Sequence, residues 1–144
     1  MATTTHKAYT AAAATSLTTE LNSLANGSAT AASTAIDNTS ALDLFMDVEL
    51  VVATQGSARS AGATISVYQA NSLDGTNYDD ASTSTAELIA VFPLDAATTA
   101  RRRTVRDVPC GPNKFKLFAL NSTGQALASS GNTVSVRFHS ITTA

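Results

Sequence analysis

Leu42-Asp43-Leu44-Phe45-Met46-Asp47-Val48-Glu49-Leu50-Val51-Val52 is the stretch whose reading decides the fold class of this chain. Every second residue from Leu42 is apolar, giving the row Leu42, Leu44, Met46, Val48, Leu50 and Val52, with Asp43, Phe45, Asp47, Glu49 and Val51 between them. A period of two with one apolar face is the pattern of a β-strand resting on a core. At 3.6 residues per turn the same residues would scatter around a helix. One strand cannot be stable alone, so the rest of the chain must supply the sheet and the layer beneath it.

Working outward, residues 64–70 alternate in the same way, with Ile65, Val67 and Gln69 on one side and Thr64, Ser66 and Tyr68 on the other. Residues 87–94 set Leu88, Ala90 and Phe92 against Ile89, Val91 and Pro93, and the proline favours an edge or a strand end. Residues 114–120 present Phe115, Leu117 and Ala119 on one face, and residues 133–141 present Val134, Val136 and Phe138 opposite Ser135, Arg137, His139 and Ile141. Turn residues crowd positions 71–80, 109–113 and 121–131. Upstream, Leu17, Leu21 and Leu24 fall at helical spacing, with Thr15 or Ser16 as a cap and Asn26-Gly27 as a stop, which predicts a short helix. Residues 29–36 are a candidate first strand. Residues 1–15, rich in Ala and Thr with His6, Lys7 and Tyr9 as the large or charged groups, read as a flexible N-terminal arm. The expected plan is that arm followed by one domain over residues 16–144. About eight strands without βαβ alternation make the chain all-β, an antiparallel β-sandwich of the jelly-roll or a related Greek-key kind.

Composition narrows the function. The 144 residues are 44% hydrophobic, enough for one core, but only 14% charged. A surface with so little charge favours assembly over life as a free monomer. The net charge of −2 gives no general attraction to nucleic acid or an anionic membrane. No apolar run is long enough to span a bilayer, and the first ten residues lack a signal-peptide core, so a soluble chain made in the cytoplasm is expected. The sole cysteine, Cys110, lies in the Pro109-Cys110-Gly111-Pro112 turn and reads as a small, partly buried residue.

The chemical motifs are sparse. Asp74, Asn77, Asp79 and Asp80 supply oxygen ligands without the spacing or closing Glu of an EF-hand, and are read as a plain Asx turn. His6 and His139 are the only histidines and lie far apart in sequence, so a histidine metal site or triad would need convergence in the fold. Asp43, Asp47 and Glu49 share a strand face at a spacing that any solvated strand shows. No phosphate-binding, dinucleotide or nucleophile-elbow motif occurs. The expectation is therefore no enzyme, no cofactor and no metal. Arg101, Arg102, Arg103 and Arg106 gather four of the nine Lys and Arg residues, and read either as a solvated edge or as a protein interface.

The string Ser72-Leu73-Asp74-Gly75-Thr76-Asn77-Tyr78 after a strand, and Pro112 through Leu120 ending at Asn121, resemble small structural proteins of tailed-phage virions. The likeness is to capsid cement, or decoration, proteins built on jelly rolls, and it spans roughly residues 38–140. It implies a homodimer or homotrimer on the outside of the phage head that clamps neighbouring copies of the major capsid protein, with no catalytic residue. The contacts expected on that reading are His6, Lys7 and Tyr9 of the arm together with Arg101, Arg102, Arg103 and Arg106. Phe45, which interrupts an acidic row, is expected to be covered by the N-terminal segment or a neighbouring chain. Two other classes fit the pattern. A carbohydrate-binding β-sandwich would need aromatic platforms, for which only Tyr9, Tyr68 and Tyr78 are at hand beside the phenylalanines. A tail or head-completion protein would share the virion but not the shell-wide distribution.

Overall fold

The computed structural model describes residues 5–143, with side chains from residue 8 to residue 141. Strands form over β1 (Thr5–Tyr9), β2 (Ala14–Leu17), β3 (Ile36–Asp37), β4 (Phe45–Val52), β5 (Thr64–Ser72), β6 (Glu87–Pro93), β7 (Arg101–Pro109), β8 (Lys114–Ser122) and β9 (Thr133–Thr143). They make two antiparallel sheets. One runs β1-β9-β4-β7 with β2 also on β9, and the other runs β3-β8-β5-β6. A single apolar cluster draws on both, so the architecture is a β-sandwich.

The alternating row of β4 works as expected from Met46 onward. Met46, Val48, Leu50 and Val52 are all fully buried, beside Val134 and Val136 of the paired strand β9, in one core with Ile65 and Val67 of β5 and Phe115, Leu117 and Ala119 of β8 from the other sheet. Each such side chain contributes about 1.5–3 kcal/mol by leaving water. The first part of the row does not join the strand. Leu42 has φ 54° and, with Leu44, stays exposed, because residues 38–43 are held as a turn by buried Asn38. Its Nδ2 donates to the Asp43 carbonyl at 2.9 Å and the Gly111 carbonyl at 2.8 Å, while its Oδ1 accepts the Asp43 N–H at 3.0 Å. Pro93 closes β6, an edge strand.

The short N-terminal helix is absent. Leu17 ends β2 opposite Val134, and residues 18–24 form tight turns in which Ser23 has φ 56°. Leu17 and Leu21 are fully buried and Leu24 packs against the same cluster, so the apolar spacing is used to plug the end of the sandwich. A two-turn helix is marginal by itself, and side-chain burial decides the outcome. Part of the supposed arm is likewise structured: β1 pairs with β9 from Thr5↔Thr143 to Tyr9↔His139, and β2 follows on the same strand. Residues 1–4 lie outside the described residues. Residues 28–35 form no named strand, yet they cover the edge of β8. The Thr30 and Ser33 hydroxyls accept the Ala119 and Leu117 N–H groups, both at 3.0 Å, in place of backbone carbonyls.

One buried charge organises the loops. The Arg59 side chain is fully enclosed and donates to Gln55 Oε1, the Asp95 carbonyl, Asp95 Oδ1 and the Thr99 carbonyl at 2.9–3.1 Å. It ties the β4–β5 connection to the β6–β7 connection. Buried Asn121 and Asn132 do similar work near the β8–β9 turn, bonding to residues 24 and 125 and to residues 22, 53 and 128. An enclosed polar group is tolerated when its polar atoms find hydrogen-bond partners, as those of Arg59, Asn121 and Asn132 do.

Candidate functional site

The outer face of the first sheet carries an unusual concentration of buried polar groups. The registers Tyr9↔His139, Phe45↔His139 and Phe45↔Pro109 place β1, β9, β4 and β7 side by side in one row. Side chains directly opposite on one face are contact neighbours. The His139 ring accordingly stacks on Phe45 at 5.6 Å and 17°, and meets Tyr9 edge-on at 5.6 Å and 71°. Histidine 139 is only 1% exposed.

The next row brings in the acids. Asp47 lies opposite Arg137 on β9. On its other side, β4 and β7 slip register between Met46↔Val108 and Val48↔Val105, so Arg106 and Asp107 together oppose Asp47 as a bulge. Asp107 takes the left-handed conformation there, φ 57°, and its N–H donates to Asp47 Oδ1 at 3.0 Å. The bulge turns the Asp107 carboxylate to His139, with Oδ1 2.9 Å from Nε2. The other ring nitrogen, Nδ1, lies 3.8 Å from Asp47 Oδ1. Asp47 Oδ2 accepts the Tyr9 hydroxyl at 2.7 Å. Asp47, Asp107 and His139 thus each offer a ligand atom within 4.8 Å of the others.

The same face anchors the N-terminal segment. Buried Asp43 accepts the Thr10 hydroxyl at 2.8 Å and the Ser140 hydroxyl at 3.0 Å. The Arg137 guanidinium lies 3.8 Å above the Tyr9 ring, and its Nε donates to the Ala11 carbonyl at 3.1 Å. Beside them opens a shallow cleft of about 220 Å³ bordered by Tyr9, Asp47, Glu49, Arg106 and Arg137.

Tyr9, Phe45 and Arg106 therefore meet around one patch, and Phe45 is half-buried beneath His139. Arg101, Arg102 and Arg103 run away from it along β7. Arg101 is paired with Asp95, and Arg102 lies 3.5 Å from Glu49, while Arg103 and Arg106 are exposed. His6 and Lys7 have their backbone in β1, and their side chains lie outside the described residues. Asp43, Asp47, Asp107 and His139 were not legible as a group. The sequence signals were that Asp43 and Asp47 share one strand face and that His139 occupies an outward position of another strand.

Elsewhere, Asp74 caps its own turn. Its carboxylate accepts the Asn77 and Thr76 N–H groups at 2.7 and 2.8 Å, which hold it well below the usual carboxylate range. Burial, with the Asp43 charge behind it, pushes the Cys110 thiol up to about 11 and leaves it a poor nucleophile.

No protein-family model matches the chain, and no curated protein matches it significantly.

Proposed function

We propose that this chain is a structural virion protein, a capsid cement or decoration protein that binds the outer surface of a phage head and clamps neighbouring major capsid subunits. The observation that carries the reading is the edge at β7. This nine-residue strand ends its sheet and exposes Arg102, Arg103 and Arg106. A cationic edge on a rigid sandwich suits an acidic protein surface repeated by symmetry, where modest contacts multiply.

The strand pairings support the jelly-roll form of the fold. With β1 and β2 counted as one strand, the pairs with β9, β3·β8, β4·β7 and β5·β6 are those of one long antiparallel ribbon. Rolling that ribbon adds β4·β9 and β5·β8, and both pairs occur. On this reading the protein is a homodimer or homotrimer on the virion, made in the host cytoplasm, with Tyr9 and the β7 arginines among its contacts.

Binding of the purified protein to expanded, undecorated capsids tests the assignment. Replacing Arg102, Arg103 and Arg106 by Gln is expected to weaken binding at least about 10-fold and to flatten its dependence on salt. Unchanged binding by that variant, with residues 1–13 also removed, would overturn the assigned contacts.

A further inference from the structure

The geometry points to a transition-metal site of the zinc type on the outer face of the first sheet, with His139 Nδ1 and Asp47 Oδ1 as donors and Asp107 orienting the imidazole. His139 is nine-tenths enclosed and more, and its Nδ1 is sealed from solvent without a hydrogen-bond partner. A buried ring nitrogen left unmatched is destabilising, so its retention calls for a reason. The ring is fixed: Phe45 stacks on it, Tyr9 meets its edge, and Asp107 Oδ1 sits 2.9 Å from Nε2. In the tautomer that donates Nε2–H to Asp107, Nδ1 presents a lone pair.

That lone pair faces Asp47 Oδ1 across 3.8 Å, too far for a hydrogen bond. A cation about 2.0–2.1 Å from each atom spans such a gap at an obtuse angle. Imidazole with carboxylate suits zinc and its neighbours, whereas calcium and magnesium prefer all-oxygen sets. A carboxylate accepting the far N–H of a ligating imidazole is the usual way such a ring is held. Asp107 does this because the β7 bulge and its positive φ aim it there. The cleft borders Asp47, one of the two donors. Since Tyr9 donates to the same carboxylate, a bound ion would also tighten β1 against the sheet.

The test is a zinc titration of chelator-treated full-length protein, followed in a long-range proton–nitrogen NMR spectrum that separates His139 from His6. The expected result is one equivalent bound, a large shift at His139 Nδ1 with Nε2 still protonated, and no change in affinity for His6→Ala. Asp107→Asn is expected to bind about 10–100-fold more weakly, and Asp47→Asn at least as weakly, with amide spectra showing that both fold. An unmoved His139 Nδ1 at millimolar zinc would overturn the site, as would binding that survives Asp47→Asn or vanishes in His6→Ala. If Asp47→Asn does not fold, the wild-type and His6→Ala spectra decide.

Discussion

Arg59 shows how much one side chain can hold. Its guanidinium is buried and donates to four acceptors on Gln55, Asp95 and Thr99, so Arg59→Met would remove all four bonds at the junction of two loops. The expected cost is about 3–5 kcal/mol, measured by urea unfolding. Asp95 gives a pH signature. The Arg101 hydrogen bonds, then those of Arg59, hold its carboxyl down to about 2. Its folded value lies below the unfolded one, so its stabilising contribution is complete above about 4 and is lost as pH falls toward 2. The melting temperature should therefore drop across that window, and Asp95→Asn should remove part of the drop. Cys110 is expected to react with a maleimide at pH 8 about 100-fold more slowly in the folded protein than after unfolding, since its raised value leaves little thiolate. The roles of Arg59 and Asp95 were not legible in the sequence, whereas Cys110 read as a small, partly buried turn residue and is buried. Arg59 sits in a loop of small polar residues, and nothing local marks it for burial. His139 read as the polar side of a strand, because which acids oppose it depends on a register and a bulge set by distant partners.

At the scale of elements, period-two alternation carried through where both a core face and a paired neighbour exist. From Met46 to Val52, from Thr64 to Val67, at Phe115, Leu117 and Ala119 of β8, and at Val134 and Val136 of β9, the apolar rows named from sequence are buried, while Phe118 and His139 are buried on the opposite faces. It failed where a side chain competed with the ladder. Asn38 locks residues 38–43 into a turn, so Leu42 and Leu44 keep the pattern without the strand. The leucines at 17, 21 and 24 were a true core signal with the wrong period attached, because strand, turn and plug can bury the same residues as a helix. Residues 5–17 carry no apolar pattern, yet they pair with β9, held by groups outside their own segment. Edge strand β7 follows another logic. Arg103 lies opposite Leu50, on the core-facing side, where a charge discourages edge-to-edge pairing. Arg103→Val is expected to fold and to self-associate in light scattering while the wild type does not. A variant that scatters like the wild type would remove that role.

For the whole molecule, the fold class was readable because spacing and turn chemistry agree along the chain, whereas the placement of its surface groups was not. A low charge content, a two-sheet body and an exposed cationic edge are the features that support the proposed role by contact. The role on a shell is then a statement about number and position. The most direct measurement is the copy number and location of this chain on assembled particles, by cryo-electron microscopy of virions. The account predicts many copies at symmetry-related sites over the outer head surface, each bridging neighbouring capsid subunits with β7 at the contact. A few copies in a ring at one vertex or along the tail, or none on the particle, would contradict it.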